Sequence, residues 1–144
     1  MNQRQFSYSH SPAFPSLQKG LPFLPLTLSN TTHSIKVSGL VDSGSTVNVL
    51  PYDIGIQLGL IWETQTFSLP PLVGILRNFQ AFGVLVTGQI EPFAPVHLAF
   101  AWTQSNDVPV ILGQMNFFSE FDVCFFGSQE VFNIVPKPPK PLAG

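Results

Sequence analysis

Asp42 stands directly behind the apolar pair Leu40-Val41 and ahead of Ser43-Gly44-Ser45. Burying a lone carboxylate is costly, so an acid at the end of an apolar strand makes sense if the strand delivers it to a protected site. A carboxylate held that way is equipped for general acid–base work. Its neighbours fit the role. Gly44 permits a sharp turn and close approach by other backbone. Ser43 and Ser45 carry hydroxyls able to satisfy the carboxylate or nearby main-chain groups. Asp, Ser and Gly are also ordinary turn formers, so the motif needs support from the rest of the chain.

No other residues compete for the role. Asp53-Ile54-Gly55 repeats Asp-x-Gly but lacks the hydroxyl, and it reads as the acidic first turn of a helix. His10, His33, His97 and Cys124 show no metal-ligand spacing. No G-x-S-x-G elbow is present, which argues against a serine hydrolase. Neither a metal nor an organic cofactor is expected.

Composition narrows the setting. The chain has 144 residues, enough for one domain with its own core. Charged residues make up only 10%, against about 25% in an average protein, which points to apolar surface covered by a partner chain. The net charge of −2 and the scattered Lys36 and Arg77 argue against nucleic acid, which requires clustered cations. No stretch reaches the ~18–20 apolar residues of a membrane span, and no signal-peptide layout precedes Pro22 and Pro25. A cytoplasmic protein is the expectation. A single cysteine, Cys124, allows no internal disulfide.

The elements that must position Asp42 are mostly strands. Residues 1–20 read as a flexible arm without periodicity, and 136–144 as an extended proline-rich tail. Residues 21–135 form the domain between them. Phe23-Leu24-Pro25-Leu26-Thr27-Leu28 reads as an edge strand, because proline cannot donate to a ladder. A turn over 29–33 leads to a strand over 34–41 that alternates and then becomes fully apolar. Further strands are expected over 80–90, 96–102 and 108–112, and a final hairpin over 124–126 and 131–135 around Gly127-Ser128-Gln129. Two short helices are expected. One begins at Pro51 and stops at Gly59, although Gly55 weakens it; the other spans about 116–120. Many short strands with two brief helices describe a mainly-β barrel.

The motif Asp42-Ser43-Gly44-Ser45 behind two apolar residues, together with Val110-Ile111-Leu112-Gly113 and a short helix after it, resembles the retropepsin-like aspartic proteases of the single-domain, bacterial type. The likeness spans about residues 21–135. It implies an all-β fold: a closed acid-protease barrel with one or two short helices. It also implies that Asp42 is the catalytic acid, that the Ser43 hydroxyl braces the loop against its twin, and that Gly44 and Ser45 complete the loop. Leu112 and Gly113 would lie beside it. A flap is expected over 69–79, with its tip near Gly74. The sequence departs from the family where an Asp–Arg pair is often found: here Thr46 and Gln114 occupy those positions. Losing both charges together costs little, whereas losing one would strand the other.

The implied reaction is endopeptidase cleavage of a peptide or protein substrate. Two carboxylates share one water, and a C2 homodimer supplies the second Asp42. The Phe-rich C-terminal hairpin and the strand at Phe23 are the candidate contacts between copies. Two other readings are a catalytically silent homodimeric barrel that binds extended peptides, and a structural subunit of a larger assembly.

Overall fold

The computed structural model describes residues 2–10, 19–70 and 80–139. The described chain folds as a closed six-stranded barrel with a three-stranded sheet beside it. The strands are β1 (Arg4–Ser7), β2 (Phe23–Asn30), β3 (His33–Val41), β4 (Asn48–Leu50), β5 (Ala81–Gln89), β6 (Val96–Thr103), β7 (Val110–Leu112), β8 (Phe121–Phe126) and β9 (Val131–Pro136). Two short helices are α1 (Tyr52–Gln57) and α2 (Phe117–Glu120).

Around the barrel the order is β2-β3-β7-β4-β6-β5, with β2 meeting β5 again to close it. β2 and β3 form a hairpin whose turn is Thr31-Thr32, with Thr31 at φ 38°. β7 is wedged between β3 and β4, which are neighbours in sequence. It runs parallel to β3 (Gly39↔Val110, Leu40↔Ile111, Val41↔Leu112) and antiparallel to β4 (Val49↔Ile111). The chain from Asp42 to Val47 must therefore cross over the end of β7 to get from one side of it to the other.

The alternating residues of these strands fill the interior. Leu24, Leu26, Leu28, Val41, Leu50, Val84, Val86, Leu98, Phe100, Trp102 and Leu112 are all buried. Trp102 anchors α1: its Nε1 donates to the Tyr52 carbonyl at 3.2 Å, and its ring stacks on Tyr52. Gly55 lies against the Trp102 indole so closely that a Cβ there would overlap the ring. The glycine that weakens the helix in the sequence is thus the residue that lets the helix dock, and packing overrides propensity.

Three sequence expectations are corrected. The arm over 1–20 is not structureless throughout: Arg4–Ser7 is a strand paired with β9, from Arg4↔Ile134 to Ser7↔Val131. Its one apolar side chain, Phe6, is buried and stacks on Phe132. β2 is not an edge strand along its whole length, since Thr27, Leu28 and Ser29 also pair with β5. Pro25 sits in the half that pairs with β3 alone, so its missing N–H breaks no ladder. The start of the tail is tied down as well. Pro136 ends β9, the Lys137 N–H donates to the Glu120 carbonyl at 2.9 Å, and the Lys137 ammonium meets the Glu120 carboxylate at 2.9 Å.

Because β1 contributes a core phenylalanine, Phe6→Ala is expected to lower the unfolding free energy by about 3–5 kcal/mol. Urea denaturation of the variant beside the parent checks this. A loss under ~1 kcal/mol would mean that β1 merely rests on the sheet.

Candidate active site

Asp42 is the first residue beyond β3. Its N–H donates to the Leu112 carbonyl at 3.0 Å, which extends the parallel β3–β7 ladder by one step and fixes the carboxylate at the mouth of the wedge. The Gly44 N–H donates to Asp42 Oδ1 at 2.9 Å, and the Ser45 N–H donates to the Asp42 carbonyl at 3.1 Å. The loop therefore turns around its own acid. Asp42 is half-buried, while Ser43 and Gly44 are exposed. One carboxylate oxygen is held from inside the loop, and the group still reaches the surface.

Leu112 and Gly113 form the floor under the loop. A Cβ at Gly113 would collide with the Val47 carbonyl and stand 2.7 Å from the Ser45 carbonyl oxygen. No residue but glycine fits, because the obstacles are backbone and cannot swing aside. Beyond it, the Gln114 N–H donates to the Ser45 carbonyl at 2.8 Å, and the Met115 N–H donates to the Thr46 carbonyl at 3.0 Å. The Ser45 hydroxyl donates to the Val47 carbonyl at 2.7 Å. The structure thus brings Asp42, Ser43, Gly44, Ser45, Leu112 and Gly113 together. Gly74, the expected flap tip, lies outside the described residues. The flanks of that segment meet, with the Leu69 N–H donating to the Ala81 carbonyl at 3.0 Å and the Gly83 N–H to the Phe67 carbonyl at 2.9 Å.

Thr46 and Gln114, which carry no charge, each bond across the crossing to another residue. Gln114 Nε2 donates to the Ser43 carbonyl at 2.8 Å, so a neutral amide grips the loop from the β7 side. Thr46 takes part through its carbonyl.

Two asparagines that the sequence reading passed over hold the assembly from below. Asn48 is fully buried. Its Oδ1 accepts the Gly113 N–H at 2.7 Å, and its Nδ2 donates to the Ala99 carbonyl at 2.9 Å and to Asn116 Oδ1 at 3.2 Å. Asn116 Oδ1 also accepts the Ala99 N–H at 2.9 Å, and its Nδ2 donates to the His97 carbonyl at 2.9 Å. The pair laces β4, β6 and β7 together under the loop. In sequence, each asparagine looks like a turn residue between apolar segments. Only their position beside Val49-Leu50 and Phe117-Phe118, where a buried polar group must be satisfied, hints otherwise.

No protein-family profile matches the chain, and no curated protein matches it in sequence. Solved structures do match. A retropepsin-like aspartic protease from Rickettsia conorii superposes with a TM-score of 0.63 at 10% identity, over 92% of this chain and 90% of that one. EIAV protease, solved in complex with the inhibitor HBY-793, superposes with a TM-score of 0.50 at 21% identity, over 68% of this chain and 85% of that one. The fold is retropepsin-like. At these identities the likeness establishes the architecture. Among the described residues no helix is long and apolar enough to cross a membrane.

Gly113→Ala is expected to destabilise the retropepsin-like barrel by about 3 kcal/mol, because backbone must move to admit the methyl group. Asn48→Leu is expected to cost a similar amount, about 2–4 kcal/mol, by leaving the Gly113 N–H and the Ala99 carbonyl unpaired. Thermal and urea unfolding of the two variants test both. Either one matching the parent within ~0.5 kcal/mol would remove that contact from the account.

Proposed function

We propose that the chain is one half of an aspartic endopeptidase that works as a homodimer. The observation that carries the reading is the placement of Asp42: at the end of β3, its main chain bonded to Leu112 and its carboxylate capped by the Gly44 N–H, inside a retropepsin-like barrel. Each chain offers one such carboxylate, and hydrolysis by this chemistry needs two. A two-fold axis beside the loop supplies the second from another copy. One carboxylate, ionised, accepts a proton from the water as its oxygen attacks the scissile carbonyl carbon. The other, protonated, donates to the carbonyl oxygen as charge develops there. In this reading the exposed Ser43 hydroxyl braces one loop against its twin, and a flap tipped by Gly74 lies over the substrate.

The free edge of β8 supports association. In the sheet β1-β9-β8 it has a neighbour on one side only, among the described residues. Phe125 and Phe126 on it are each 41% exposed. Phe23, the other contact expected from sequence, is buried in the chain's own core.

Asp42→Asn keeps the shape and most of the hydrogen bonding of the loop. It is expected to leave a folded protein whose cleavage of a denatured-protein or mixed-peptide substrate falls roughly a thousandfold or more. Mixing parent with an excess of this variant, under conditions where chains exchange, should reduce activity as the square of the parent fraction. A linear fall after confirmed exchange would show that each chain works alone.

A further inference from the structure

The half of β3 farthest from Asp42 has one edge without a strand partner among the described residues. Val41 donates its N–H to the Pro22 carbonyl on the β2 side, and the next residue, Asp42, donates to Leu112 on the β7 side. Strand hydrogen bonding alternates direction residue by residue, so Ser38 and Lys36 also turn their main chain toward the β7 side. But β7 begins at Val110, opposite Gly39. Among the described residues no strand lies beyond that point against Ser38 or Lys36. The Lys36 N–H and C=O and the Ser38 N–H therefore have no strand partner among the described residues.

Beside that edge runs a groove of about 470 Å³. Lys36, Val37 and Ser38 all line it. Side chains alternate along a strand, so three consecutive lining residues mean that the edge of the strand, and not one of its faces, borders the groove. Phe23, Ile54 of α1, Pro109 and Val110 give it apolar walls, and Ser9 and His10 add polar groups. The charged and titratable residues at the groove are Lys36 and His10, and no carboxylate lines it. Lys36 is exposed and, among the described residues, has no ion-pair partner. A cationic spot in a chain of net charge −2 selects for an acidic visitor.

We infer that this groove is a docking site for an extended peptide segment of alternating acidic and apolar residues, which adds a strand to the open edge of β3 at Lys36–Ser38. The alternation follows from the pleat. Peptide residues on the Lys36 and Ser38 face of the sheet meet the ammonium group. Those on the Val37 face meet the apolar walls. Main-chain bonds to Lys36 and Ser38 hold the backbone, and the side chains set the choice of sequence. The site lies roughly 13–20 Å along β3 from Asp42, at about 3.3 Å per residue. It is distinct from the catalytic loop and does not depend on proteolysis.

The test uses the full chain carrying Asp42→Asn, so that no probe is cut, and a fluorescein-labelled octapeptide of alternating glutamate and valine read by fluorescence anisotropy. Saturable binding is expected, with a lysine–valine peptide of the same pattern failing to bind. Lys36→Glu, with an unchanged circular dichroism spectrum, should weaken binding about tenfold. N-methylating alternate peptide residues should abolish binding in one frame, where the N–H groups point at β3, and spare it in the other. Absence of saturable binding, equal affinity for the lysine peptide, or equal tolerance of both N-methyl frames would each overturn the assignment. So would a Lys36→Glu variant that changes the size of the free chain on gel filtration, because the groove would then belong to a second copy. None of these outcomes bears on whether Asp42 cleaves peptides.

Discussion

Gly113 passes beneath the Asp42 loop at a distance that admits no side chain, and the rest of the molecule is arranged around that crossing. β7 can lie between β3 and β4 only if the connection from Asp42 to Val47 climbs over its end. The climb brings three loop carbonyls, those of Ser45, Thr46 and Val47, against the strand leaving β7. Bare carbonyls in a tight crossing would be costly without donors. The Gln114 and Met115 N–H groups and the Ser45 hydroxyl provide them. The remaining donor, the Gly113 N–H, points down into the barrel, where the buried Asn48 accepts it. A satisfied buried bond is worth only about 0.5–1.5 kcal/mol net, whereas an orphaned partner costs about 1–3 kcal/mol. The network therefore acts mainly as a register device. A one-residue slip of β7 would orphan several groups at once, and Asp42, bonded to Leu112, would lose its place with them.

The loop is positioned without a charge pair. Thr46 and Gln114 stand where an acid and an arginine are often found in proteins of this fold, and the Gln114 amide reaches the Ser43 carbonyl directly. A neutral amide on a carbonyl feels ionic strength far less than an exposed ion pair does. Among the described residues the carboxylate of the loop is the only full charge in the immediate network, with no ion-pair partner.

Much of this was legible in the residues, and the reasons for the misses are specific. β3, β5, β6 and β7 announce themselves through alternation or short apolar runs, and the final hairpin through Gly127-Ser128-Gln129 between two apolar stretches. Asp42-Ser43-Gly44-Ser45 and Gly113 stand out because an acid behind an apolar strand and a glycine after another are uncommon together. β4 is only Asn48-Val49-Leu50, too short for periodicity, and it opens with a residue that ordinarily marks a turn. β1 has a single apolar side chain in Arg4-Gln5-Phe6-Ser7, so no local pattern separates it from a loop. Its strand character comes from β9, which lies more than a hundred residues away. The roles of Asn48 and Asn116 are tertiary for the same reason: an asparagine is a turn former or a buried clamp depending on what surrounds it, and its neighbours here come from β6 and β7.

Among the described residues, the open edges of β8 and of β3 differ in chemistry in a way that would suit different partners. β8 exposes Phe125 and Phe126 along an edge at the far end of the terminal sheet. In the proposed homodimer a like edge would meet it across the two-fold axis. The edge of β3 carries Lys36, and lysine on an edge strand discourages pairing with an identical strand, because two copies would bring like charges together. The same lysine favours a strand bearing carboxylates. With only 10% charged residues, few other charges compete with this ammonium, although Arg4 and Glu91 share a neighbouring pocket with Lys36. One edge is suited to self-association and the other is guarded against it. A dimer built through β8 would therefore leave the β3 grooves, one on each copy, open to a chain of different sequence.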